Sequence, residues 1–148
     1  MVPRLSPFLA IVLIAFGRGY AENPACPVSV EKQALTEADT LRTWDALYKS
    51  FAQYKKCDDG AIAEGYSESV ARILVDHWNT LPQLAELATK DHDFLRFVER
   101  HVDATNDEQD LQKIKAEAKT QCPSGLRKIC DDLSKEADSA LKEAASVR

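Results

Sequence analysis

The chain has 148 residues, 29% of them Asp, Glu, Lys or Arg, and a formal net charge of −5. It contains no basic stripe or block, which disfavours a nucleic-acid partner, because phosphate contacts dominate that affinity. An anionic membrane surface is disfavoured on the same electrostatic ground.

The predicted elements begin with a leader. Arg4 supplies a positive start, Phe8 to Phe16 is an unbroken apolar run, and Gly19 and Ala21 put small residues at the −3 and −1 positions of a cleavage site. The apolar run is too short for a stable membrane span, so residues 1–21 read as a secretory signal peptide. The mature chain from Glu22 to Arg148 then has 127 residues, which suits one domain with one core. Loss of Arg4 and Arg18 takes the net charge from −5 to −7. Acidic charge of this size keeps a small exported protein soluble. The expected location is the periplasm or the exterior, with no membrane anchor after cleavage.

Residues 22–35 read as an N-terminal extension. Thr36 and Asp39 have capping-box-like spacing and open the first predicted helix. Leu41, Trp44, Leu47, Tyr48, Phe51 and Tyr54 form its apolar arc. Lys55 and Lys56 suit its negative C-terminal end. The second helix runs from about Asp59 to Trp78, with Ile62, Tyr66, Val70, Ile73, Leu74, His77 and Trp78 on one side. Thr80 to Gln83 is a capping box with Pro82 in the first turn, and it opens a short helix bearing Leu81, Leu84, Leu87 and Ala88. Asp91 caps a fourth, with Phe94, Phe97, Val98 and His101 on one face. Thr105 and Glu108 open a fifth, which carries Leu111, Ile114 and Ala118. Ser124 caps a sixth, lined by Leu126, Ile129, Cys130, Leu133, Ala137 and Leu141. No sustained period-two alternation occurs. The fold class is all-α: a compact bundle of about five to six antiparallel helices over 36–143, with a frayed tail at 144–148.

Cys26, Cys57, Cys122 and Cys130 all lie in the mature part. An even count in an exported chain predicts two disulfides. No Cys-x-x-Cys occurs, which argues against thiol exchange and c-type haem attachment. The spacing also lacks the paired short intervals of a structural zinc site. Four cysteines allow three pairings. A helix starting near Ser124 carries Cys130 about two turns in, roughly 9 to 11 Å along the axis. Bridged Cα atoms lie within ~7 Å. The expectation is therefore two long-range bridges rather than Cys122 with Cys130.

The densest stretch is CDDGAIAEGYSE, Cys57 to Glu68. Asp58 and Asp59 are adjacent, so their side chains diverge, and helix capping accounts for both. Gly65 falls inside a helix, where glycine costs ~1 kcal/mol relative to alanine. Close packing of another backbone explains it better than a binding groove. Glu64 and Glu68 stand on the solvated side. His77 and His101 sit on apolar faces and read as hydrogen-bonded core histidines, because no third ligand or nucleophile accompanies them. Asp103 to Asp110 has a faint calcium-loop look, but Glu108 stands where glycine is needed and Ile114 where the bidentate glutamate belongs. It reads as an inter-helix turn. No nucleophile elbow, P-loop or zinc-protease motif is present.

The combination of WDALY at 44–48, CDDGAIAEGYSESV at 57–70, and Cys122-Pro123 with Cys130 resembles a group of small exported bacterial proteins without an assigned activity. In architecture alone, the chain is similar to the periplasmic helical immunity proteins that neutralise type VI secretion effectors. The resemblance implies a helical envelope protein and carries over no site residue.

The functional expectation is an envelope interaction protein whose partner is another protein, an immunity-type inhibitor being the sharpest version. Its binding surface is placed at Asp58, Asp59, Glu64, Gly65 and Glu68. No catalytic residue, metal ligand or cofactor is assigned. The alternatives are an envelope enzyme using Glu64 or Glu68 with His77, and a structural or stress-related periplasmic protein.

Overall fold

The computed structural model describes residues 26–147, so the predicted signal peptide and the first residues of the N-terminal extension lie outside the described part. Among the described residues seven helices follow one another: α1 (Val28–Glu37), α2 (Trp44–Tyr54), α3 (Gly60–Asp76), α4 (Leu81–Lys90), α5 (His92–Arg100), α6 (Glu108–Thr120) and α7 (Arg127–Ser146). Short 3₁₀ turns at Lys55–Cys57 and Trp78–Thr80 lead into α3 and α4. No strand occurs among the described residues. The fold is all-α and stapled by two disulfides, Cys26–Cys57 and Cys122–Cys130.

The seventh helix arises from the segment expected to be an extension. Thr36, expected to open the first helix, lies inside α1, where its hydroxyl donates to Lys32 O at 2.8 Å. The true cap of α2 is Thr43, whose Oγ1 accepts from Ala46 N at 3.2 Å. Ala34 is the only fully buried residue of α1, so no apolar periodicity announces the helix. Tertiary contacts hold it instead. The Cys26–Cys57 bridge closes its N-terminal side, and Ala38 at its C-terminal end rests on α3.

The other apolar arcs pack as their spacing predicts. Trp44, Leu47, Phe51 and Tyr54 of α2 are buried, as are Ile62, Tyr66, Val70, Ile73 and Leu74 of α3. Burying a side chain of this size stabilises the fold by about 1.5–3 kcal/mol. An aromatic cluster joins α2, α3 and α5. Phe51 and Phe97 lie 4.9 Å apart between ring centroids, and Tyr66 meets Phe97 edge-on at 5.0 Å. Several buried polar groups are paired across elements. Trp44 Nε1 donates to Thr80 Oγ1 at 2.9 Å, Trp78 Nε1 donates to Gln121 O at 3.0 Å, and the Ser50 and Tyr66 hydroxyls bond at 2.9 Å. Thr80 therefore serves Trp44 and does not cap α4 with its side chain. Likewise Asp107, not Thr105, caps α6.

The expectation of two long-range bridges is half corrected. Cys26–Cys57 spans 31 residues, but Cys122–Cys130 spans only 8. The physical reason is the start of α7. The helix begins at Arg127 and not near Ser124, so Cys130 lies in its first turn. A turn at Pro123–Leu126 precedes it, closed by Leu126 N donating to Pro123 O at 3.1 Å. Gly125 takes φ +83° there, a conformation that glycine adopts without steric cost. The chain reverses at this point, and the two cysteine Cα atoms come within 6.0 Å.

Candidate functional site

The joint between α2 and α3 is assembled from both sides. The Cys26–Cys57 bridge anchors its start, with Cys57 buried. Asp59 then caps α3, accepting from Gly60 N at 2.8 Å. Gly60 has φ +52°, so glycine is the residue that enters the helix here without strain.

Asp58 departs from the capping expectation. Its side chain is only 4% exposed and points back to the C-terminal end of α5. There Oδ1 lies 3.0 Å from His101 Nε2, and Oδ2 receives the Arg100 guanidinium. His101 Nδ1 donates to Phe97 O at 2.8 Å, since a carbonyl can only accept. Burial pushes the Asp58 carboxyl up, but hydrogen bonds and positive charge from His101 and Arg100 outweigh it and hold the group below its ordinary range. The carboxylate is thus ionised, and both imidazole nitrogens face oxygen acceptors. Every polar atom of this ring is consumed by packing. The Tyr66 and Phe97 rings flank the imidazole at 5.8 and 4.3 Å. The Tyr66 hydroxyl is pushed up to about 12, mainly by burial.

The remaining predicted site residues do not converge. Gly65 packs against α1: a Cβ built on it would stand 2.9 Å from Ala38 Cβ and 3.1 Å from Asp39 N. One turn further on, Ser69 Oγ donates to Ala38 O at 2.6 Å and accepts from Leu41 N at 3.1 Å. Glu64 and Glu68 are exposed on α3, and Glu68 pairs with Arg72 at 3.4 Å. His77 is exposed at the C-cap of α3, with φ −136° and ψ 39°, and so leaves the apolar arc on which the spacing placed it. Nine residues of helix separate it from Glu68, a rise of roughly 13 Å. The Glu64, Glu68 and His77 set therefore forms no acid–base constellation. His77 and His101 share no partner. The Asp103 loop is held by its own Thr105 and by Ser67 of α3. Asp103 Oδ1 accepts from Thr105 N and Oγ1, and Oδ2 accepts from Ser67 Oγ at 2.7 Å. No group of three or more His, Cys, Asp or Glu side chains arranged to hold a metal occurs among the described residues.

Beside the joint lies a cleft of about 310 Å³, lined by Phe51, Lys55, Asp93, Arg96, Phe97 and Arg100. The sequence reading missed it. Lys55 Nζ stands 5.0 Å from the Phe51 ring centroid, and the Arg100 guanidinium 5.8 Å from that of Phe97. Arg96 pairs with Asp93 one turn earlier on α5. A signal was present. Arg96 and Arg100 share a helical face at i, i+4 spacing, and Lys55 ends the helix before the joint. What the sequence could not supply is the packing of α2 on α5 that brings them together. No protein-family model, curated protein or solved structure matches this chain. No helix among the described residues is long and apolar enough to cross a membrane. Two disulfides with no free cysteine are compatible with an oxidising compartment outside the cytoplasm.

Proposed function

We propose that the protein is an exported binding protein of the bacterial cell envelope, acting on another protein by contact, with an immunity-type inhibitor as its most specific form. The observation that carries this reading is the cleft between α2 and α5. A chain of net charge −5 gathers three cations, Lys55, Arg96 and Arg100, around one depression. Rings beneath and a disulfide-anchored joint beside it give that surface a rigid base. A rigid base lowers the ordering cost of association. The contact surface proposed here is therefore the basic face between α2 and α5, in place of the set Asp58, Asp59, Glu64, Gly65 and Glu68. The two disulfides and the leader predicted for residues 1–21 support export.

The test is cross-linking of the tagged mature chain in intact envelope, followed by mass spectrometry. The reading expects one stoichiometric protein partner. Recovery of the bait alone, at bait levels matching native expression, would sink it. The enzyme alternative is addressed by replacing Glu64, Glu68 and His77 with glutamine together. Binding expects the biological phenotype to survive, whereas catalysis expects it to vanish.

A further inference from the structure

We infer that the cleft between α2 and α5 recognises an acidic segment of the partner, seating its carboxylates between Lys55, Arg96 and Arg100. This deepens the binding reading and rests on it. Three features carry it. First, the lining residues hold three cations and one carboxylate, so the cleft opposes the sign of the molecule as a whole. Second, the cations retain donors. Arg100 spends one amino group on the buried Asp58, and Arg96 one on Asp93, out of five N–H donors each. Among the described residues, no carboxylate lies within ion-pair distance of Lys55. The Asp93–Arg96 pair is solvent-exposed on both sides, with side chains 57% and 71% accessible. Such pairs are worth about 0–1 kcal/mol, so an incoming carboxylate displaces this one readily.

Third, the positions of the charges are fixed from below. Asp58 ties Arg100 to the α2–α3 joint, the Phe51 and Phe97 faces hold Lys55 and Arg100 in place, and both rings are at most 3% exposed. An apolar floor excludes water on one side, which strengthens charge-assisted hydrogen bonds above it. Planar guanidinium forks match carboxylates in a bidentate fashion.

The experiment uses the mature protein with disulfides intact and the peptide Ac-Glu-Asp-Phe-Glu-Asp-NH2. Its control is the same peptide with every Glu and Asp replaced by Gln and Asn. Binding is followed by backbone amide shifts at low salt. The proposal expects shifts clustered around Lys55, Arg96 and Arg100, and binding about ten-fold or more weaker for the neutral peptide. K55Q/R96Q should weaken binding of the acidic peptide by about a hundred-fold, since it removes two charge-assisted bonds, each worth roughly one decade. Both residues are exposed, so this variant keeps the fold. Equal binding of the two peptides, shifts on another face, or inorganic phosphate competing as well as the acidic peptide would each overturn it. If the peptide fails while envelope capture persists, the acidic segment falls and the binding reading stands. If capture fails while the peptide still binds here, the protein-partner reading falls and the anion site remains.

Discussion

Replacing Asp58 with alanine removes the acceptor that faces both His101 Nε2 and the Arg100 guanidinium. Two readings of Asp58 give different magnitudes. As an exposed helix-end carboxylate it contributes about 1 kcal/mol or less. As one half of a buried pair its removal costs about 3–5 kcal/mol, because the partner is left uncompensated. Arg100 is 63% exposed and regains water. The lower end therefore applies, about 3 kcal/mol, or a Tm lower by roughly 10–15 °C for a domain of this size. Urea unfolding of oxidised protein, read by the fluorescence of buried Trp44 and Trp78, measures it. His101→Phe and the double variant complete a cycle, with an expected coupling of about 1–3 kcal/mol. A loss below about 1 kcal/mol, with no coupling, would refute the buried clamp and restore the capping role.

The pH dependence has a fixed sign. The folded Asp58 carboxyl lies below its ordinary value of 3.8. Its contribution is thus complete above that value and is lost as pH falls through the lower, folded one. Wild type should lose stability on acidification below pH 3.8 more steeply than D58A does. Parallel acid curves for the two proteins would count against the assignment.

Three further outcomes are expected. Gly65→Ala gains about 1 kcal/mol of helix propensity. It also drives a methyl to 2.9 Å from Ala38 Cβ and 3.1 Å from the Asp39 backbone, an overpacking that costs about 1–3 kcal/mol, so net destabilisation by urea titration is predicted and stabilisation would refute the close contact. Serine at Cys26 and Cys57 together should cost about 3.7 kcal/mol, against about 2.5 kcal/mol for the Cys122 and Cys130 pair, from the loop lengths of 31 and 8 residues. The ordering of the two pairs, measured by chemical denaturation, is the test. The Tyr66 hydroxyl, raised from 10.0 to about 12, contributes stability that is complete below pH 10.0 and fades as pH rises toward about 12. Tyr66→Phe should flatten the alkaline limb of the stability curve, and an unchanged limb would assign it elsewhere.

The helices α2 to α7 are legible because each carries an apolar arc with helical period, and those arcs are the buried surfaces. Helix α1 is illegible for the opposite reason. It buries one alanine and depends on a disulfide and on the missing Cβ of Gly65. Packing as the reason for Gly65 could be read from its place in a helix, though not the identity of its neighbour. Asp58 was misread because its partner His101 lies 43 residues away, and local rules reward a carboxylate before a helix whatever it touches. His101 itself was legible as a satisfied core histidine. His77 was not, because α3 ends one residue before it and turns it to solvent. The Cys122–Cys130 pairing turned on three residues of helix boundary, and Ser124-Gly125 was the overlooked signal for a turn. The basic cleft needed tertiary knowledge, since Lys55 belongs to one helix end and Arg96 and Arg100 to another.

The basic cleft as the working face is tested most directly by comparing envelope capture across three baits at equal amount: wild type, K55Q/R96Q and E64Q/E68Q. The prediction is a stoichiometric partner on wild type and on E64Q/E68Q, and recovery about ten-fold or more lower on K55Q/R96Q. Equal recovery on K55Q/R96Q, or loss on E64Q/E68Q, would contradict it and return the contact surface to the acidic side of α3.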